Sequence, residues 1–188
     1  LLDCIAEMLR SGIVDRSGNF QRDIKSERLR KKGDEYEFVL IEKEESGIET
    51  DIVITQADIS NLVRSKGAIY AALSILIESM GLTIHDINCL YLAGGFGNYL
   101  NVRNAITIGM LPDMPTSQIK FVGNTSLIGA KMALISKEAF ETVHTIASQM
   151  TYFDMMGNPK YMEAFMSANF LPHTNLNEFP SVVEELSS

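Results

Sequence analysis

The sequence predicts an α/β protein built on a short parallel sheet with helices packed against it. Three observations carry that expectation. The first is Thr55-Gln56-Ala57-Asp58, a T-x-x-D start in which hydroxyl and carboxylate can cap each other's backbone N–H groups. Beyond it Ile59, Leu62, Val63, Ile69, Leu73, Leu76, Ile77 and Met80 recur at helical spacing until Gly81 supplies a stop. The second is order: residues 87–92 and 119–122 are apolar runs of strand length, each followed by a helical pattern, at 102–110 and 126–135. Strands that alternate with helices pair in parallel, because the helix carries the chain back across the sheet. The third is that both strands run into small-residue loops, Gly94-Gly95-Phe96-Gly97 and Gly123-Asn124-Thr125-Ser126. Open α/β sheets bind ligands at that carboxyl edge.

The remaining elements follow in chain order. Leu1, Leu2, Ile5, Ala6, Met8 and Leu9 share one helical face, and the chain opens inside that pattern without a capping residue or initiator methionine, as an excised piece of a longer protein would. Residues 11–19 are turn-rich, and 23–37 read as a charged, solvated loop or edge rather than a binding patch. YEFVLIE (36–42) and DIVIT (51–55) predict a hairpin turning near Ser46-Gly47. Residues 138–149 continue as helix and 159–168 form a last one, joined by TYFDMMGN as a short strand or extended connection. The domain reading is one lobe over 1–174, with a charged loop and hairpin inserted at about 20–54, and an acidic tail over 175–188 that is frayed or lightly docked.

Composition narrows the function. Sixteen basic against 24 acidic residues leave a formal charge of −8, which repels nucleic acid and anionic lipid. The sequence holds no apolar run of transmembrane length and no legible signal peptide. Cys4 and Cys89 are far apart in apolar surroundings and suggest neither a disulfide framework nor a thiolate metal site, which fits a cytoplasmic setting. His85, His144 and His173 lack metal-ligand spacing, and the ten methionines read as gap fillers or a partner-facing surface.

Taken alone, the first glycine loop is ambiguous between a tight turn and a ligand cradle. A dinucleotide fingerprint fails at Leu100, where a third glycine is required, and a phosphate-gripping G-x-x-x-x-G-K-[ST] is absent. The second loop at the same sheet edge shifts the balance toward binding. Its helix carries Gly129, Ala130 and Ala133, small enough for a backbone or flat ring to approach. On the long helix Arg64-Ser65-Lys66-Gly67 interrupts an apolar face; Gly67 costs ~1 kcal/mol of helix propensity, which suggests close packing. Lys66 by itself reads as a lysine that snorkels past the core to water.

Three blocks resemble a known family: ITQADISNLVRSKGAIYAAL, LYLAGGFGNYLNVRNAITIGMLP and KFVGNTSLIGAKMALIS. They look like the C-terminal domain of the ATP-dependent reductive activators of corrinoid proteins, within the superfamily of acetate and sugar kinases, heat-shock ATPases and actin. The resemblance implies half of a ribonuclease-H-like, actin-like ATPase fold. It assigns Gly94, Gly95, Phe96 and Gly97 to an adenosine motif and Asn98 to the base or ribose. Lys66 becomes a donor to the ribose, with Arg64 and Tyr70 on the same helix, and Gly123, Asn124 and Gly129 close the adenine side. ATP or ADP with magnesium is the implied cofactor, with the metal ligands and phosphate hairpins outside this chain. A plant-type two-iron, two-sulfur cluster belongs to the parent only, since its cysteine spacing cannot be built from Cys4 and Cys89. The implied activity is reduction of corrinoid cobalt from Co(II) to Co(I), with a corrinoid protein or corrinoid-dependent methyltransferase as partner and a homodimer as one possible state. The alternatives are a scaffold or protein-binding module that keeps only the fold and, less favoured because this half carries no substrate-pocket signature, a sugar or acid kinase.

Overall fold

A computed structural model describes residues 1–95, 99–155 and 157–187. Its elements run α1 (Leu2–Arg10), β1 (Leu29–Lys32), β2 (Glu35–Ile41), a single helical turn α2 (Lys43–Ser46), β3 (Ile52–Thr55), α3 (Gln56–Ser79), β4 (Leu90–Ala93), α4 (Val102–Thr107), β5 (Ile119–Gly123), α5 (Thr125–Ile135), α6 (Lys137–Gln149), α7 (Tyr161–Ala168) and α8 (Pro180–Ser187). The strands form two sheets: antiparallel β1-β2-β3 and parallel β4-β5.

The parallel pair is the predicted one, with Leu90 opposite Ile119 and Leu92 opposite Phe121. Leu90, Leu92 and Ile119 turn toward the core, while Tyr91 stays exposed on the other face. The long helix α3 begins at the expected capping box: the Thr55 N–H donates to Asp58 Oδ2 at 2.9 Å, and the Asp58 N–H donates to Thr55 Oγ1 at 3.2 Å. The Thr55 hydroxyl, which also donates to Asp58 Oδ2 at 2.7 Å, and the Thr55 N–H hold the Asp58 carboxyl below its ordinary value.

Of the two alternatives for the charged stretch, loop or edge, residues 29–32 take the edge: Leu29 to Lys32 pair with Phe38 to Glu35, and Arg30 forms ion pairs with Glu37 and Asp51. The C-terminal stretch differs from expectation, because it is docked. Phe179 and Val182 are both fully buried, and α8 is held by Glu185, which accepts from Arg10 at 2.6 Å and Arg103 at 2.7 Å. Phe179, Val182 and Leu186 give this short helix its inward face, while Val183 stays exposed. TYFDMMGN contains no strand among its described residues.

The core gathers α1 (Leu2, Ile5, Ala6, Met8, Leu9), α3 (Ile59, Val63, Tyr70), the α4 region (Ala105, Ile106, Ile108, Met110, Leu111) and the C-terminal residues Ala168, Leu171, Phe179 and Val182. By contrast α5 and α6 bury no described residue, and Leu127, Ile128, Met132, Phe140, Val143 and Ile146 are all exposed.

Candidate functional site

The carboxyl edge of β4-β5 is where the two small-residue loops meet. The Gly94 N–H donates to the Gly123 carbonyl at 2.7 Å, so the loops leave the sheet side by side. Gly94 (φ 100°) and Gly123 (φ 67°) hold backbone conformations that side chains resist. Gly95 lies outside that left-handed region. A Cβ placed on Gly94, Gly95, Gly123 or Gly129 meets no heavy atom within 4 Å. Packing against described neighbours therefore does not explain the missing side chains, and at Gly95 backbone strain does not either. What remains is a bare, open backbone edge, the form a flat ring or phosphate can rest against.

Asn124 is a helix cap: its side chain accepts the Leu127 N–H at 3.0 Å and opens α5. Asn101 does the same for α4 through the Asn104 N–H at 3.2 Å. Phe96, Gly97 and Asn98 lie outside the described residues.

Lys66 and Tyr70 are directed elsewhere. Lys66 is fully buried, neither snorkelling to water nor reaching the glycine edge. Its ammonium donates to the carbonyls of Phe170 and, at 2.6 Å, Pro172, and burial pushes it down to about 7. The Tyr70 hydroxyl donates to Glu178 at 2.8 Å, and its ring packs on His173 and Phe179 at centroid distances of 5.3 and 5.4 Å. Burial beside the Glu178 carboxylate raises its ionisation well above the ordinary phenol value. Arg64 on the same helix is exposed.

These side chains seat a C-terminal strap that sequence reasoning did not recognise. Arg16 caps its carbonyls, donating to His173 O at 2.7 Å, while the Leu171 N–H donates back to Arg16 O at 2.7 Å. Gly67 lets α3 approach it: a Cβ there would lie 2.6 Å from Asn169 Oδ1 and 3.2 Å from Ala168 O. Gly109 (φ 73°) is still tighter, with a Cβ only 2.0 Å from the Pro172 carbonyl oxygen. Gly67 was legible as a close-packing glycine; its partner, a hundred residues away, was not.

Among the described residues no group of three or more His, Cys, Asp or Glu is placed to hold a metal ion, so no magnesium chemistry is derived from these side chains. Both cysteines are free, and no described helix is long and apolar enough to cross a membrane.

Parallel strands closing on an open glycine edge, a long capped helix and an added antiparallel sheet make a mixed α/β domain consistent with the actin-like class. Within it the chain belongs to the family described as the C-terminal domain of RACo, the ASKHA domain, which matches residues 1–183. It is 32% identical over 173 residues to the corrinoid activation enzyme RamQ of Eubacterium limosum, covering 88% of this chain and 29% of that protein. It is 31% identical over 105 residues to the Co(II) methylated amine-specific corrinoid protein reductase of Methanosarcina barkeri, covering 56% of this chain and 19% of that protein. A solved structure, a reductive activator for corrinoid, iron-sulfur protein, superposes with a TM-score of 0.88 at 46% identity, over 96% of this chain and 29% of the other. The chain thus spans under a third of each relative.

Proposed function

We propose that this chain is the adenosine-binding lobe of an ATP-dependent activator that returns the cobalt of a corrinoid protein from Co(II) to Co(I). The observation that carries the reading is the glycine edge, where Gly94 and Gly123 bond to each other and the missing Cβ positions face open space. The relatives' names, a corrinoid activation enzyme and a corrinoid protein reductase, support the activity. A bound nucleotide would supply the energy of phosphate hydrolysis. This chain's part is to offer backbone N–H groups and unobstructed space to the nucleoside, with the N-terminal end of α5 favouring a negative group nearby. Magnesium ligands and the electron-donating iron–sulfur cluster belong to other parts of the longer protein. The corrinoid protein is its partner.

The apolar surface of α5 and α6 supports the same reading. A helix that is apolar nearly all round, as α5 is apart from Lys131, belongs in an interior. In relatives about three times as long, further chain is available to cover it, and a nucleotide held between two such parts would couple its own turnover to their closure. Photolabelling with an azido-adenine nucleotide tests the assignment. Labelled peptides should contain residues 93–99 or 122–129, and labelling confined to other peptides would reject it.

A further inference from the structure

Away from the glycine edge, a polar cluster lies between α3 and the strap of residues 168–178. Lys66, with none of its surface exposed, faces two backbone carbonyls, those of Phe170 and Pro172. His173, 7% exposed, packs against the rings of Tyr70 and Phe179, which also touch each other. Its Nδ1 accepts the backbone N–H of Asn175 at 3.1 Å, which requires a lone pair on that nitrogen. A proton there would set N–H against N–H. It would also place a second positive charge beside that of Lys66.

The other charged groups around the cluster are largely engaged. Glu178 Oε1 lies 3.9 Å from His173 Nδ1 and favours the imidazolium, but this carboxylate already takes the Tyr70 O–H at 2.8 Å and the Asn175 side chain at 3.0 Å. From the loop after α1, Arg16 holds the His173 carbonyl. On the α7 side Lys160 bridges to Glu78 of α3, and Glu163 lines the same cleft. Asp113, in the connection after α4, is bonded to Ser181.

We propose that Lys66 and His173 make the strap a proton-sensitive fastening. With His173 neutral the strap stays seated on α3; when both groups are charged, residues 168–178 release while the rest of the core stays folded. Burial lowers both groups from their ordinary values, and for His173 the Lys66 charge acts in the same direction. An opened strap rehydrates both, so acid favours opening. The inference is independent of the nucleotide reading.

Hydrogen exchange by NMR tests it, with protection factors for the Leu171, Thr174 and Asn175 amides measured at about pH 6 and 8.5 against β2 amides as reference. The strap amides should lose about tenfold or more in protection at the lower pH relative to β2, most of it as Lys66, held down to about 7 while seated, takes up its proton over that range, and the rest from His173. His173→Gln keeps an acceptor but takes no proton, and should cut that loss. Equal strap protection at both pH values, or the full loss persisting in His173→Gln, overturns the proposal. The His173 ring resonances of the unaltered protein give a second reading that needs no variant: a midpoint at or above the ordinary 6.5 also overturns it.

Discussion

Replacing Lys66 by Met keeps most of the reach of the side chain and removes the ammonium, so it isolates what the buried charge does. Two carbonyls, Phe170 O and Pro172 O, then lose their donor in a closed environment. At ~1–3 kcal/mol for each orphaned group, the loss is on the order of 2–6 kcal/mol. Against this stands the cost of burying the ammonium. The gap between 10.5 and about 7 corresponds to a penalty on the order of 5 kcal/mol at any pH where the folded protein carries the charge. Because the folded value lies below the unfolded one, the unfolded chain binds more protons between them. The penalty is therefore complete below about pH 7 and is relieved as pH rises toward 10.5. Lys66→Met should consequently be nearly neutral at about pH 6.5 and destabilising by several kcal/mol at about pH 9.5. Urea unfolding of both proteins at those two pH values measures it. A stability difference that does not change with pH would refute the buried, titrating lysine.

Other expected outcomes concern the strap and α8. Gly109→Ala forces a Cβ to within 2.0 Å of backbone in a left-handed conformation and should cost more than about 3 kcal/mol in denaturant unfolding. Gly67→Ala gains about 1 kcal/mol of helix propensity, yet its Cβ meets Asn169 and Ala168; a net loss in melting temperature is expected. Phe179→Ala empties a fully buried site and should destabilise by ~3–5 kcal/mol, whereas a frayed tail would leave stability unchanged.

What could be read in the sequence was what is decided locally. Thr55 and Asp58 cap one another across three residues, so the start of α3 needs no tertiary information. The parallel strands were legible because apolar runs and helical patterns alternate over a short span. For β1 the sequence left loop and edge open: LRKK has no strand-like alternation, and its conformation comes from pairing with β2. The docked tail was hidden by its acidic residues, although Phe179, Val182 and Leu186 carried the spacing of an inward face. Lys66 is the sharpest case. Its neighbours on α3 allowed snorkelling or a reach to a ligand, and its fate is set by Phe170 and Pro172, more than a hundred residues away. The glycine loops were legible as a pair, but that the Gly95 Cβ position faces open space required the structure.

Gly95 is therefore the residue on which the account turns. Among the described residues a valine there meets no neighbour within 4 Å at its Cβ, and it meets no left-handed strain, so fold and melting temperature should be preserved. Titration calorimetry with ADP, on the full-length protein with and without Gly95→Val, measures the consequence directly. The account predicts at least a tenfold loss of affinity, about 1.4 kcal/mol or more, with unchanged thermal unfolding. Unchanged ADP affinity in a folded Gly95→Val protein would contradict it.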